Sequence, residues 1–430
     1  MDLADVKASL CLKDKFNRDV LWNVGSLAVL GVSGIVNNIV IANYANAEAL
    51  GIFNQVFAIY IMLSQICVGG LHFSVLKNIS HNQDDRQKCI DIASSALLLA
   101  IAIAGVVCTL TYLLRDLAGA LLDSPSVSVG IALAAPGLAF FSLNKILLNV
   151  LNGVRRMRAF AVFQALRFIF ILAAVCAILA AGLPGEKLAF SLTVSECLLF
   201  LILIVYVNIW VFPLKFSSRV KTWFAEHLSF GFRGFFSGFL SEMNTRVDLL
   251  MLGYFCDDET VGIYSFAALL AEGLAQLPLV IRRNVDPILG RCFAENDNAK
   301  MKRAVQKVKW VTYAIMVGIG ITAVLLYPIG LKLLVAKPGY EASWPIFAIL
   351  MLGITLNSGY RPFLGIMLQG GKPGTHTFFI TAVVGSNVIL NAILIPLLGM
   401  YGAASATAIV YLFEAVLIVL FANKLFKVNL

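Results

Sequence analysis

The apolar segments of this chain carry charged side chains of the types that bind an anion and exchange a counter-ion. Seven of these side chains are basic and six are acidic. A charge at the centre of a bilayer costs about 2.5–3.5 kcal/mol on insertion scales, so we expect most of them to face one another or a wet cavity. The basic residues are Lys145, Arg167, Arg233, Arg246, Arg282, Arg283 and Arg361. The acidic residues are Glu196, Glu242, Asp248, Glu272, Asp286 and Glu414.

Residues 229–255 contain the densest group of these charges. Glu242 and Arg246 are one helical turn apart, which predicts an ion pair within the helix. Arg233 and Asp248 fall on the opposite side, so the segment would have two polar faces and little surface for lipid. This pattern predicts a helix that lines a cavity. The alternative is a structural network of ion pairs that holds a helix bundle together.

Six of the seven basic residues map to the cytoplasmic half of the membrane, and Arg246 alone maps deeper. An anionic group loaded from the cytoplasmic leaflet would meet the six first. The predicted substrate-binding residues are Arg246, Arg233, Arg167, Arg361, Lys145, Arg282 and Arg283, with Asn37 and Asn38 near the same cavity. The candidates for ion coupling are Glu242, Asp248, Glu272 and Asp286. For Lys145, Arg282 and Arg283, which lie near helix ends, the alternative is that they extend to the interface.

Twelve apolar segments of about 20 residues or more position these charges, and each is long enough to cross a hydrocarbon core of ~30 Å. The chain is therefore predicted to be an all-α polytopic membrane protein. The segments are residues 20–44, 49–76, 91–114, 127–150, 159–181, 188–212, 229–255, 261–289, 308–327, 344–368, 377–397 and 403–421.

The loops between the segments divide into two sets by charge. The set that includes both termini carries 22 Lys and Arg residues, whereas the other set carries four. Because basic loops stay in the cytoplasm, both termini are predicted to be cytoplasmic. The net charge of +9 is spread over these short loops, which indicates membrane lipids and not nucleic acid as the partner.

The chain repeats itself, with six segments in each half. The offset between equivalent residues grows from 211 to 218 along the chain, from Gly51 and Gly262 through Asn144 and Asn357 to Glu196 and Glu414. Two six-segment halves insert the same way up, so their pseudo-twofold axis would run along the membrane normal. We predict an N-terminal lobe at residues 1–212, a linker at residues 213–228 and a C-terminal lobe at residues 229–430.

The linker has apolar side chains at helical spacing. They are Phe216, Val220, Trp223, Phe224 and Leu228, with basic residues between them. The pattern predicts a short amphipathic helix on the cytoplasmic leaflet. The alternative is an extension of the seventh segment.

The sequence has no motif of an enzyme, a cofactor site or a metal centre. The eight cysteines include no CxxC spacing, and the four histidines lack the spacing of metal ligands. There is no Walker A motif, so ATP is not expected to drive this chain directly.

Two motifs resemble those of known flippases. Residues 244–255, NTRVDLLMLGYF, followed by residues 261–264, VGIY, are similar to the seventh and eighth helices of bacterial polysaccharide flippases. Residues 398–407, LGMYGAASAT, are similar to the start of their last helix. Length, segment number and repeat agree over nearly the whole chain. The chain thus resembles the Wzx-type O-antigen flippases of the multidrug/oligosaccharidyl-lipid/polysaccharide exporter superfamily.

The resemblance implies a V-shaped fold with a central cavity that opens alternately to the two sides. The implied activity is transfer of an undecaprenyl-pyrophosphate-linked oligosaccharide, such as a lipopolysaccharide O-antigen unit, to the outer leaflet of the bacterial inner membrane. A proton or cation as coupling ion and a polysaccharide polymerase are the implied partners. One alternative is a cation-coupled multidrug exporter of the same superfamily, which would prefer an acidic cavity. Another is an O-antigen polymerase or ligase, which would need a large external loop that this sequence lacks.

Overall fold

The computed structural model describes residues 3–215, 218–295 and 297–428. Within these ranges, no side-chain description applies to residues 3–21, 24, 218–220, 233–234, 236–237, 241 and 298–300. The described residues form helices joined by turns and loops and contain no strand, which confirms the all-α fold class.

Fifteen α-helices make up this described part of the chain. The first eight are α1 (Leu3–Tyr44), α2 (Ala47–Val68), α3 (Leu71–His81), α4 (Arg86–Leu113), α5 (Arg115–Leu121), α6 (Pro125–Gly153), α7 (Met157–Ala180) and α8 (Phe190–Trp210). The others are α9 (Phe224–Phe255), α10 (Asp258–Glu295), α11 (Asn298–Leu334), α12 (Ser343–Asn357), α13 (Ile366–Gln369), α14 (Pro373–Leu398) and α15 (Met400–Phe426). Short 3₁₀ helices lie at Gly185–Ala189, Ser218–Trp223, Tyr340–Ala342 and Arg361–Phe363.

Ten helices in the described ranges are long and apolar enough to span a membrane. An eleventh span results if Tyr340–Asn357 and Arg361–Gln369, which meet at a 55° bend, are counted together. The helix α9 is not among these spans, and its sequence carries five acidic or basic residues. The protein is therefore a multi-pass membrane protein whose seventh predicted segment is helical but unusually polar.

Two predicted segments are not continuous helices. The second is broken at Gly69 and Gly70, whose φ angles of 54° and 72° are in the left-handed region that favours glycine. The tenth is broken between α12 and α13. Both segments are apolar on either side of the break, so their sequences predicted unbroken spans. Hydropathy does not show where the backbone changes direction.

The linker differs from the predicted amphipathic helix. A 3₁₀ helix covers Ser218–Trp223, and α9 begins at Phe224. Leu228 therefore belongs to the seventh helix, which agrees with the alternative for this part of the stripe. Phe216 lies outside the described residues, as does the side chain of Val220.

The first compact unit consists of Met1–Ile41, Ile59–Ala120 and Pro125–Phe239. Its core lies where α6 packs against α4 and α8, with α3 and α7 beside them. Ile146 and Leu147 of α6 are fully buried there, as are Leu199 of α8 and Ile92 of α4. Burial of these branched side chains fixes α6 at the centre of the unit.

The second compact unit consists of Ala42–Ala58, Leu121–Ser124 and Leu240–Leu430. In it α12 packs against α10, α11 and α15, and α14 packs against α15. Tyr264 of α10 and Ile346 of α12 are fully buried in its core. The assignment of lobes to residues 1–212 and 229–430 stays a prediction.

Candidate substrate and coupling site

A buried carboxylate lies at the polar centre of the first unit. Glu196 on α8 is 1% exposed. The side-chain amide of Asn144 on α6 donates to its Oε2 at 2.8 Å and to its carbonyl oxygen at 2.9 Å. The Nε of Arg167 on α7 forms an ion pair with Oε1, and the guanidinium lies 4.1 Å from the ring centroid of Phe141. Arg167, a predicted substrate-binding residue, is thus neutralised by a carboxylate.

A glycine explains why α6 and α8 approach closely enough for this contact. A Cβ on Gly137 would lie 3.0 Å from the Cα of Thr193 on α8, so a larger residue would push the helices apart. Asn144 is about two turns further along α6, and Glu196 is about one turn further along α8. The close crossing therefore brings the amide to the carboxylate.

The second unit has a similar cluster around Glu414 on α15, which is 7% exposed. Asn357, the last residue of α12, donates its side-chain amide to Oε2 of Glu414. The Nε of Arg361 lies 3.5 Å from the same oxygen, and its guanidinium is 4.9 Å from the ring centroid of Tyr411. Arg167 and Arg361 therefore each pair with a glutamate that accepts a hydrogen bond from an asparagine, and each lies near an aromatic ring.

The break after α12 places Arg361 at this carboxylate. A Cβ on Gly359 would lie 2.3 Å from a ring carbon of Tyr313, so the ring occupies the space that a side chain would need. The hydroxyl of Tyr313 donates to the carbonyl oxygen of Leu356 at 2.7 Å. That hydrogen bond satisfies one of the carbonyl groups left free at a helix end.

Arg246 on α9 differs from both of these arginines. Among the described residues it has no ion pair within 4.0 Å, whereas its buried Nε lacks a hydrogen-bond partner as those of Arg167 and Arg361 do. The predicted ion pair with Glu242 is therefore wrong. Spacing of one turn brings two Cβ atoms together, but neighbouring side chains decide where the long groups end. Here the guanidinium is 5.6 Å from the ring centroid of Phe57.

Glu272 on α10 links the charges of the second unit. It is partly buried and lies within electrostatic range of the other ionisable groups. Its basic neighbours are Arg246 and Arg361, and its acidic neighbours are Asp248 and Glu242. The structure thus brings together five of the predicted site residues. A substrate anion or a coupling cation would alter the electrostatic interactions among them.

Asp248 is 8% exposed and fully hydrogen-bonded. Tyr264 on α10 donates its hydroxyl to Oδ2 at 2.6 Å, Thr407 on α15 donates to the same oxygen at 3.4 Å, and the Leu249 backbone N–H donates to Oδ1 at 2.9 Å. Sequence reasoning did not single out Tyr264 or Thr407. Tyr264 is the last residue of one motif that carries the family resemblance, and Thr407 is the last residue of another. Their place in these motifs was the signal by which the sequence could have identified them.

The remaining predicted residues on α6 and α10 have separate environments. Arg282 and Asp286 form an ion pair at 3.3 Å one turn apart, whereas Arg283 is exposed. The Oδ1 of Asp286 is buried without a partner. Lys145 is partly buried and interacts electrostatically with Glu196.

The two asparagines predicted near a cavity lie on α1. Asn37 is 5% exposed, and its Oδ1 has no hydrogen-bond partner among the described residues. Asn38 is 6% exposed and donates to the carbonyl oxygen of Gly34 at 3.0 Å. The side chain of Arg233 lies outside the described part of the chain.

The family model described as "Polysaccharide biosynthesis protein" matches residues 18–281. This chain belongs to that family. A second model, described as MatE, matches residues 235–393 of this polysaccharide biosynthesis family member. The chain is also 22% identical over 385 residues to a protein named "Probable flippase AglR" from Haloferax volcanii, covering 87% of this chain and 76% of the relative.

Two groups of solved structures share the fold of this family member. The lipid II flippase MurJ in an inward closed conformation has a TM-score of 0.76 at 18% identity, covering 94% of this chain and 87% of MurJ. An inward-facing multidrug resistance MATE family transporter has a TM-score of 0.76 at 13% identity, covering 91% and 93% of the two chains.

These matches confirm the resemblance to the multidrug/oligosaccharidyl-lipid/polysaccharide exporter superfamily. This member of the polysaccharide biosynthesis family is a lipid-linked flippase or a MATE-type transporter. Its relatives are described as flippases and transporters, in agreement with the prediction of a transport protein.

Proposed function

We propose that this protein moves an oligosaccharide linked to undecaprenyl pyrophosphate, such as an O-antigen unit, from the inner to the outer leaflet of a bacterial inner membrane. Both termini are cytoplasmic in this proposal, and the substrate site opens alternately to the two sides. The family match supports the proposal, as does the likeness to a probable flippase and to a lipid II flippase. A polysaccharide polymerase would take over the exported unit.

The physical problem is the polar head group of such a substrate. Each unsatisfied polar group costs several kcal/mol in hydrocarbon, so a pyrophosphate with several sugars cannot cross unaided. A basic site within the membrane offsets this cost while the lipid tail stays in the bilayer. The substrate-binding residues proposed for this role are Arg246, Arg233, Arg167, Arg361, Lys145, Arg282 and Arg283, with Asn37 and Asn38.

The observation that carries the proposal is the state of Arg246. Its guanidinium lies within a membrane protein and has no ion pair among the described residues. Its Nε is buried without a hydrogen-bond partner. Glu272 lies within electrostatic range of both Arg246 and Glu242. A pyrophosphate would supply the missing oxyanion.

Loading would also change the carboxylates around Arg246. When pyrophosphate binds the guanidinium, Glu272 loses part of the electrostatic compensation that Arg246 supplies. Glu272 then gains affinity for a cation, which links loading to a counter-ion, and Glu242 is a second candidate for this role. Asp248 and Asp286 are the further coupling candidates. Of these, Asp286 retains a buried oxygen without a partner.

Arg246→Ala tests this proposal in a strain whose own gene has been deleted. Wild-type protein should restore surface polysaccharide, whereas the deletion strain should accumulate lipid-linked oligosaccharide on the cytoplasmic leaflet. Arg246→Ala should abolish export at normal membrane levels of the protein. Arg246→Lys should retain part of it, because a lysine supplies the charge without the fork geometry.

The matched control is Arg291→Ala, which removes an exposed arginine from the end of α10 and should export normally. Normal export by Arg246→Ala would contradict the role given to this residue. Loss of the Arg246→Ala protein from the membrane would indicate a structural role instead.

A cation-coupled multidrug exporter is the second candidate. The MatE model matches residues 235–393, and this stretch contains the carboxylates Glu242, Asp248 and Glu272. Carboxylates in a membrane cavity suit cationic substrates. This candidate predicts that the deletion strain becomes sensitive to a cationic dye such as ethidium and keeps normal surface polysaccharide. The flippase proposal predicts the reverse.

A further inference from the structure

Each half of the sequence repeat contains the same buried pair of side chains. The amide of Asn144 donates to Glu196, and the amide of Asn357 donates to Glu414. All four are buried, with exposed fractions between 0% and 7%. The asparagines are 213 residues apart and the glutamates are 218 apart, so both belong to the repeat. The pair therefore performs a similar task in each half.

The arginine that joins each pair does not follow the repeat. Arg167 lies on α7, 23 residues after Asn144, whereas Arg361 lies in the break after α12, four residues after Asn357. A buried carboxylate needs a partner, which accounts for the presence of an arginine in both places. It does not account for the orientation that the two arginines share.

In both clusters the Nε of the guanidinium forms an ion pair with the glutamate, although it makes no hydrogen bond there, and the guanidinium lies near an aromatic ring. Arginine has five N–H donors, four of them on the Nη atoms. No hydrogen bond joins an Nη atom of Arg167 to a described residue, and its side chain is 16% exposed. Arg361 is 13% exposed and uses one Nη atom in a long contact of 3.4 Å with the Ala275 carbonyl oxygen. Each arginine therefore keeps at least one Nη group without a hydrogen bond to a described residue.

We propose that Asn144–Glu196 and Asn357–Glu414 are positioning pairs, each of which presents an Nη donor of the arginine in its own unit, Arg167 or Arg361, to a phosphate oxygen. The asparagine holds the carboxylate, and the carboxylate holds the Nε edge. The Nη groups of Arg167, and the Nη group of Arg361 that does not contact Ala275, then remain as donors for phosphate oxygens. This inference rests on the proposed function and adds the residues that orient its anion ligands.

A charge-swapped pair separates positioning from simple stabilisation. The double variants Arg361→Glu with Glu414→Arg and Arg167→Glu with Glu196→Arg retain an ion pair but move its cation to another helix. We expect each swap to restore the membrane level lost in the single variants. Export should remain at least about tenfold below wild type, as expected when a charge-assisted hydrogen bond to an anion is lost. A swap that restores export as well as protein level would overturn the proposal.

The control swap is Lys77→Glu with Glu226→Lys. This ion pair, at 3.1 Å, is more than a third exposed on both sides and belongs to neither cluster. It should restore both protein level and export. A swapped cluster that gives the same result as this control is a structural ion pair only.

If a swapped protein fails to reach the membrane, the variants Asn144→Leu and Asn357→Leu test whether the pairs position the arginines. They keep the arginine and the glutamate and remove only the amide that holds the carboxylate. We expect reduced export and a smaller thermal shift of the purified protein with inorganic pyrophosphate. Wild-type export and an unchanged pyrophosphate response in both variants would overturn the proposal.

Failure of the inference is distinct from failure of the proposed function. If the deletion strain accumulates no lipid-linked oligosaccharide and wild-type protein does not respond to pyrophosphate, the proposed function is wrong. If wild type passes both tests while the swapped and asparagine variants behave like it, only the positioning role is wrong.

Discussion

Gly51 on α2 and Gly262 on α10 pack against each other through their backbones. A Cβ on Gly51 would lie 1.8 Å from the carbonyl oxygen of Asp258, and a Cβ on Gly262 would lie 1.9 Å from that of Ala47. The contact is reciprocal, because Ala47 and Asp258 are 211 residues apart, as are the two glycines. Equivalent points of the repeat therefore touch within the second unit.

Gly262→Ala should destabilise the protein. The methyl group would meet a backbone carbonyl, which cannot rotate away as a side chain can, so α2 and α10 would have to separate. Forced backbone shifts of this kind cost about 1–3 kcal/mol. Thermal unfolding of the purified protein in detergent, followed by tryptophan fluorescence, measures the effect.

Gly273→Ala on the same helix is the control for that variant. No heavy atom lies within 4 Å of the position its Cβ would occupy, and alanine favours helix over glycine by about 1 kcal/mol. Its unfolding temperature should equal or exceed that of wild type. Equal stability of the two alanine variants would show that the glycine contact is not tight.

Asp258→Ala should also lower the unfolding temperature. Asp258 accepts hydrogen bonds at 2.6 Å from the side chains of Gln55 and Ser124. Gln55 is fully buried, so removal of its acceptor leaves an unsatisfied amide that costs about 1–3 kcal/mol. Asp258→Asn keeps one acceptor oxygen and should have an intermediate effect in the same assay.

A carboxylate without such partners serves as the reference for Asp258. The side chain of Asp116 is 77% exposed, and its replacement by alanine should change stability by less than about 0.5 kcal/mol. An equal loss in Asp258→Ala and Asp116→Ala would mean that the two part-buried hydrogen bonds contribute little.

The cap of α10 should make stability depend on pH. Asp257 accepts a hydrogen bond from the Thr260 backbone N–H at 2.8 Å, and hydrogen bonds from Thr260 lower the pKa of this carboxyl. The stabilisation is therefore complete above the unfolded pKa of about 3.9 and is lost as pH falls through the lower folded value. Asp257→Ala should cost about 1 kcal/mol at neutral pH and less at acidic pH.

Thermal unfolding at a series of pH values checks this prediction. Asp257→Asn, which caps without a charge, should retain most of the stability and remove this part of the pH dependence. If the difference between wild type and Asp257→Ala is constant down to pH ~3, the ionised carboxylate is not the source of the cap.

Membrane topology is open to a direct test. One set of loops carries 22 Lys and Arg residues and the other carries four, which predicts that reporter fusions after Arg158 and His376 are cytoplasmic. Fusions after Asp123 and Pro338 should be external. Paired phosphatase and fluorescent-protein reporters measure both sides, and a reversed result at two or more of the four sites would contradict the orientation.

The all-helical membrane class follows from the sequence alone, as does the equivalence of Asn144 with Asn357 and of Glu196 with Glu414. Segment length and apolarity are local properties, and a duplication preserves spacing along the chain. Every one of the twelve predicted segments is helical in the described structure. Backbone direction within a segment was not determined in this way, as the breaks after α2 and α12 show.

Which charges become partners depends on how the helices pack. The helical wheel placed Glu242 beside Arg246, yet Arg246 has no ion pair among the described residues. Arg167 and Arg361 reach equivalent glutamates from positions that the repeat does not relate. A long side chain takes its partner from whichever helix packs against it. That choice depends on close crossings, such as the one at Gly137, between residues far apart in the chain.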